Sequence, residues 1–158
     1  MKTVCFTGHR AISTAEAPLL RAALENEIER QILAGATLFR AGGALGFDTE
    51  AACAVLRQKK KYPDVKLELL LPCENQTRGW READVRLYNA ILAHADAYQY
   101  VSQVYFRGVM QKRNRALVDG ADLCIAFLRE GATGGTAYTV DYAQKKGVPV
   151  INLSAFCK

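Results

Sequence analysis

The sequence predicts an α/β protein with a doubly wound, mainly parallel sheet and helices on both faces. Two observations carry that expectation. Short apolar runs alternate with amphipathic segments along all 158 residues, and glycine-rich turns follow several of the runs. Regular βα alternation implies parallel strands joined by right-handed crossovers. Half of the residues are hydrophobic and 23% are charged, enough to bury one core of useful size. Residues 1–158 are therefore expected to form one Rossmann-like domain.

Thr3 to Thr7 is an apolar run ending at Gly8 and reads as the first strand. A helix from about Thr14 places Leu20, Leu24, Ile28 and Ile32 at four-residue intervals on one face, and Gly35 ends it. Thr37 to Ala41 is the second strand. Asp48 has the position of an N-cap for a helix carrying Ala51, Ala52, Val55 and Leu56, which stops before Pro63. Lys66 to Leu71 is the third strand, closed by Pro72. The third helix spans about Trp80 to Ala95, with Val85, Tyr88, Ile91, Leu92 and Ala95 on one stripe. Ala97 to Val101 is the fourth strand, and Val109 to Val118 the fourth helix. Asp122 to Leu128 is almost continuously apolar, as in a strand covered on both faces. The last helix follows Gly135 and ends at Gly147, and Val148 to Leu153 is the sixth strand. The expected strand order is 3-2-1-4-5-6, which sets strands 2, 1, 4 and 5 around the switch point where such sheets bind ligands.

The charge balance excludes some classes and favours others. Lys+Arg 21 against Asp+Glu 16 gives +5, which suits an anionic ligand but is too small an excess to demand nucleic acid. No run approaches the ~18 apolar residues of a membrane span, and the first residues lead straight into a strand without a signal-peptide pattern. Five widely spaced cysteines (Cys5, Cys53, Cys73, Cys124 and Cys157) form no CxxC pair. A reducing cytoplasm and no metal site are therefore expected.

The glycine-rich turns hold the candidate site. They are Thr7-Gly8-His9-Arg10 after strand one, Ala41 to Asp48 after strand two, and Glu130 to Thr136 after strand five. Gly134-Gly135-Thr136 heads the last helix, where free amides and close backbone approach favour a phosphate. Thr136 adds a hydroxyl donor or caps the helix. Gly42, Gly43 and Gly46 form a second candidate cradle, while Gly8 and Arg10 flank the first turn. Neither loop matches GxGxxG or GxxxxGK[ST].

The fourth helix adds a further signal. Met110, Arg113, Asn114, Leu117 and Val118 share a stripe, so two polar side chains interrupt an apolar face. A buried guanidinium needs a partner, either an internal carboxylate or a ligand phosphate. The adjacent glycine loops favour the ligand. Asp48 is an N-cap first and a ribose ligand second. His9 has no partner evident in the sequence. Trp80 and Tyr88 read as core, with Trp80 also placed to wall a pocket behind the Cys73–Gly79 loop. Lys59-Lys60-Lys61 reads as solvated surface at a helix end.

These residues carry a resemblance. Arg113 to Leu123, then Gly134-Gly135-Thr136 and Gly147-Val148-Pro149-Val150, resemble the SLOG superfamily, which joins the DprA/Smf DNA-processing proteins to the LOG phosphoribohydrolases. Cys5 to Arg10, Gly42 to Asp48, and Glu74-Asn75-Gln76 with Trp80 make nearly the whole chain similar to the small bacterial YpsA-like proteins. The resemblance implies a Rossmann-like protein that binds a nucleotide or nucleotide-derived ligand, including NAD- or ADP-ribose-like molecules, as a sensing module.

Catalysis carries over less completely. LOG enzymes use an arginine ahead of the fifth strand, which Arg113 matches, and a glutamate after the glycine loop. Tyr138 and Thr139 stand at the glutamate's positions here. Glycosidic hydrolysis needs a carboxylate near the anomeric carbon, so the candidates are Asp48 and Asp141, one helical turn on. A small-molecule nucleotide is the expected partner, with no required cofactor and no membrane. A protein partner or a homo-oligomer is compatible with the resemblance. Single-stranded DNA ranks lower, because Tyr98, Tyr100, Tyr105 and Phe106 lie in or near strand four and read as core.

Overall fold

The computed structural model describes residues 2–158. The chain runs β1 (Lys2–Gly8), α1 (Glu16–Leu33), β2 (Ala36–Ala41), α2 (Phe47–Lys59), β3 (Lys66–Leu71), α3 (Glu82–His94), β4 (Ala97–Tyr100), α4 (Val109–Val118), β5 (Leu123–Phe127), α5 (Gly135–Lys145) and β6 (Val150–Asn152). A 3-10 turn, Leu153–Phe156, closes it. All neighbouring strands pair in parallel.

The strand order is β4-β3-β2-β1-β5-β6, which corrects the expected 3-2-1-4-5-6. The first four strands wind outward in one direction, so β4 is an edge strand and not a neighbour of β1. The return is made by α4, which crosses from that edge over β3 and β1 to start β5 on the other side of β1. Local alternation is the same for either order. The switch point falls between β1 and β5, and α4 still arrives beside it.

The helices divide between the two faces. The layer of α1, α2 and α3 covers Val4, Phe6, Phe39, Ile125 and Phe127, whereas α4 and α5 cover Cys5, Cys124 and Ala126. Strand alternation thus sends large side chains to one face and small ones to the other. The small set lets α4 and α5 lie close to β1 and β5. The Cys124 thiol, hydrogen-bonded to Cys5 and buried, is pushed well above its ordinary pKa, so both cysteines act as small apolar residues.

Two local devices fix the elements next to the site. Ser13 and Glu16 form a capping box: the Glu16 amide donates to Ser13 Oγ and the Ser13 amide to Glu16 Oε1, each at 3.0 Å. Phe47 then anchors the start of α2. It stacks on Phe127 at 6.1 Å and meets Phe6 edge-on at 6.2 Å. A Cβ on Gly8 would lie 2.3 Å from the Phe47 ring, so glycine there makes room for the anchor. Phe47→Ala is expected to lower stability by about 3–5 kcal/mol in urea denaturation. A loss under about 1 kcal/mol would show that the aromatic cluster does not hold α2 in place.

Candidate functional site

The chain leaves β1 toward α1 on one face and β5 toward α5 on the other, so a crevice opens between their carboxyl ends. It has a volume of about 230 Å³. Its walls include Thr7, Gly8, His9, Arg10, Asp48, Met110, Arg113, Asn114, Thr133, Gly135 and Thr136. Residues far apart in sequence therefore meet at one place, as the expected loops at the strand ends require.

Arg113 is the dominant group. It is only 4% exposed, yet no carboxylate forms a direct ion pair with it among the described residues. Its Nη1 donates to the Gly42 carbonyl and its Nε to Asn114 Oδ1 at 2.9 Å. Its Nη2 has no acceptor among the described residues. Burial lowers the guanidinium pKa and the field of Asp48 works in the opposite direction. The group stays cationic at any ordinary pH. A buried cation held by two neutral acceptors has a strong residual demand for an anion.

Asp48 sits nearby and is 6% exposed. Burial raises its pKa above the usual carboxylate range, against the fields of Arg113 and Arg10 and a hydrogen bond from the Ala44 amide at 3.2 Å. The N-cap reading of Asp48 is corrected. Gly46, at φ +80°, holds the cap position, and Asp48 lies in the first turn pointing inward.

The third component is the N-terminus of α5. Gly134 is its N-cap, without a side-chain cap, so Thr136 does not cap the helix. The amides of Gly135, Thr136 and Ala137 are the first of the helix and have no intrahelical acceptor. A Cβ on Gly135 would lie 3.7 Å from Asn114 Nδ2, which places that amide beside the free helix end. Amide donors, a helix dipole and a guanidinium thus share one cleft.

His9 contributes a neutral wall. Its Nε2 accepts from the Arg129 amide at 2.9 Å, so the ring proton is on Nδ1, and the ring stands edge-on to Phe127 at 5.7 Å. Burial first, and the Arg129 charge second, lower its pKa below 6.5. Arg129 also grips Glu16 through two hydrogen bonds of 2.7 and 2.8 Å, which holds the Glu16 carboxyl at about 2 and ties α1 to the exit of β5. The sequence shows no sign of this clamp, since the two residues are 113 positions apart.

Several candidates fall elsewhere. Asp141 faces out on α5 and pairs with Lys145 at 2.8 Å, away from the cleft, so it cannot replace the missing glutamate. Gly42 and Gly46 are needed by the protein itself: a Cβ would lie 2.6 Å from Arg113 Nη1 at Gly42 and 2.1 Å from the Arg10 carbonyl at Gly46. Gly43 packs toward Leu71. Gly134 has open space over it, as does Gly131 in the same loop, and Gly135 meets only Asn114 Nδ2 at ordinary contact distance. The expectation that the strand-four aromatics are core is also corrected. Tyr98 is 50% exposed on the edge strand β4, and Tyr105 and Phe106, 64% and 41% exposed, lie beyond it in the loop to α4, whereas Tyr100 is partly buried and packs against the core. Trp80 is half-buried against Tyr88 and walls a neighbouring hollow.

Fold and cleft together define a Rossmann-like α/β protein with a polar crevice at its switch point. The sequence profile of the YspA SLOG family matches residues 4–150, and the chain belongs to that family. It is 28% identical to the UPF0398 protein BH1768 of Halalkalibacterium halodurans over 155 residues, covering 92% of this chain and 82% of that one. It is 27% identical to a UPF0398 protein of Bacillus thuringiensis over 156 residues, covering 93% and 85%. Among solved structures it is similar to DNA processing protein A from Helicobacter pylori, described as having a single-stranded DNA binding mode (TM-score 0.62, 20% identity). That match covers 94% of this chain but only 63% of the other. TM1055 is similar at TM-score 0.58 and 19% identity, covering 95% of this chain and 72% of the other. At these identities the structural matches speak for the fold. No helix among the described residues is long and apolar enough to cross a membrane.

The lowered His9 pKa has a definite sign. The folded state favours the neutral ring, so this contribution to stability is present above pH 6.5 and is lost as pH falls through the lowered midpoint. An NMR titration of the His9 ring should give a midpoint below 6.5 with the Nδ1-protonated neutral tautomer. A midpoint above 6.5 would contradict the wall described here.

Proposed function

We propose that the cleft binds the phosphate of a nucleotide or nucleotide-derived ligand, and that the protein works as a ligand-binding, sensing module. The observation that carries this reading is Arg113, a nearly fully buried guanidinium without an ion-pair partner, in the same cleft as the open N-terminus of α5. A phosphate would accept from Nη2 of Arg113 and from the Gly135 and Thr136 amides, with Asn114 and Thr136 side chains as further donors. Arg10, exposed at the rim, adds positive charge. Asp48 would repel a phosphate beside it, and so suits a ribose hydroxyl better.

Binding is favoured over catalysis by the same geometry. Asp141 is outside the cleft, and Asp48 is the one carboxylate among the cleft-lining residues. The Asp48 carboxylate already accepts the Ala44 amide. A nucleotide is therefore expected to be recovered intact after incubation. Chromatographic detection of released base, abolished by Asp48→Asn, would instead support hydrolysis of the N-glycosidic bond.

Single-stranded DNA is the second reading, favoured by exposed Tyr98, Tyr105 and Phe106 with Arg78 and Arg107 on nearby loops. The two readings separate at Arg113. Arg113→Gln should weaken AMP or ADP-ribose binding at least tenfold by calorimetry, and Gly135→Val should do the same by covering the helix amides. Both variants should keep the far-UV circular dichroism of the parent. Unchanged nucleotide affinity in both, or oligo(dT) binding that alone is detectable, would contradict the phosphate reading.

A further inference from the structure

A second hollow adjoins the cleft. It measures about 400 Å³ and is lined by Arg10, Gln76, Arg78, Trp80, Tyr105 and Met110, among others. Arg10 and Met110 also line the cleft that holds Arg113, so the two spaces meet at those side chains. Two loops supply most of the hollow, residues 72–81 after β3 and residues 101–108 between β4 and α4, with Arg10 and Met110 completing it on the cleft side. They are joined by backbone hydrogen bonds, Ser102 amide to Pro72 carbonyl at 3.1 Å and Glu74 amide to Gln103 carbonyl at 3.3 Å. The edge position of β4 explains the meeting, because the chain must turn back there to enter α4.

The lining has the chemistry of a platform for a planar ring. Trp80 is half-buried, its ring steadied edge-on by Tyr88 at 5.5 Å. Tyr105 is 64% exposed and so has little role in core packing. Two arginines accompany these aromatics, an arrangement that favours heterocycles through stacking and cation–π contact. The Tyr88 hydroxyl donates to Gln76 Oε1 at 3.3 Å, while Gln76 Nε2 is buried without a partner.

We infer that this hollow is the base subsite of the ligand, which is a free nucleoside phosphate: its heterocycle stacks at Trp80 and Tyr105 while its phosphate lies in the adjoining cleft. The inference rests on the phosphate reading of the cleft. A sugar phosphate fills the cleft alone, and a nucleotide spans both spaces past Arg10.

The chain contains one tryptophan, so its fluorescence reports on the hollow directly. AMP and ribose 5-phosphate are titrated against the full chain and its Tyr105→Ala variant. The expected result is that AMP binds at least tenfold more tightly than ribose 5-phosphate and alters Trp80 emission, which ribose 5-phosphate leaves unchanged. Tyr105→Ala should weaken AMP at least threefold without affecting ribose 5-phosphate. Equal affinities with unaltered emission would overturn the base subsite and leave the phosphate reading standing. Failure of both ligands to bind would overturn both. Oligo(dT) is the third arm: Trp80 quenching that is tighter with the oligonucleotide than with AMP would overturn the free nucleotide in favour of a DNA strand.

Discussion

The arrangement depends on one buried guanidinium that the protein does not neutralise by direct pairing. Removing a cation from water is unfavourable unless charge and hydrogen bonds compensate. Arg113 receives two neutral acceptors, the Gly42 carbonyl and Asn114 Oδ1, and only a through-space field from Asp48. Gly42 is glycine because a Cβ would collide with Nη1, and Asn114 orients Nε from the same helix. The loop after β2 thus serves the arginine, and the arginine with the α5 N-terminus serves the cleft.

The winding of the sheet makes that meeting possible. Because β4 is at the edge, α4 must travel back across β3 and β1, and this brings Arg113 to the carboxyl end of β1. The small residues Cys5, Cys124 and Ala126 let α4 and α5 lie low over the sheet. On the opposite face the Phe6–Phe47–Phe127 cluster fixes the start of α2, and with it Asp48. The Arg129–Glu16 pair closes the remaining side by joining α1 to the β5 loop.

Local pattern reveals every α-helix and strand but not the closing 3-10 turn, since apolar periodicity and glycine stops act within a few residues. The fourth helix and third strand fall on the expected bounds, Val109–Val118 and Lys66–Leu71. Strand order was not legible, because a crossover of this length can return to either side of β1. Arg113 and Asn114, the polar break in the stripe of α4, line the crevice. Sequence shows where a backbone approaches something closely, but at Gly8, Gly42 and Gly46 the partner is the protein itself. The exposure of Tyr98 follows from the edge position of β4, and that of Tyr105 and Phe106 from the loop that turns back from this edge into α4; local pattern shows neither. The Ser13-x-x-Glu16 capping box was written in the sequence and is a signal that helix-start reasoning can use.

A crystal structure of the protein grown with AMP tests the central claim most directly. Phosphate density is expected within hydrogen-bond distance of Arg113 Nη2 and the amides of Gly135 and Thr136. Nucleotide density seated elsewhere, with Arg113 instead swung into an ion pair with Asp48, would contradict it.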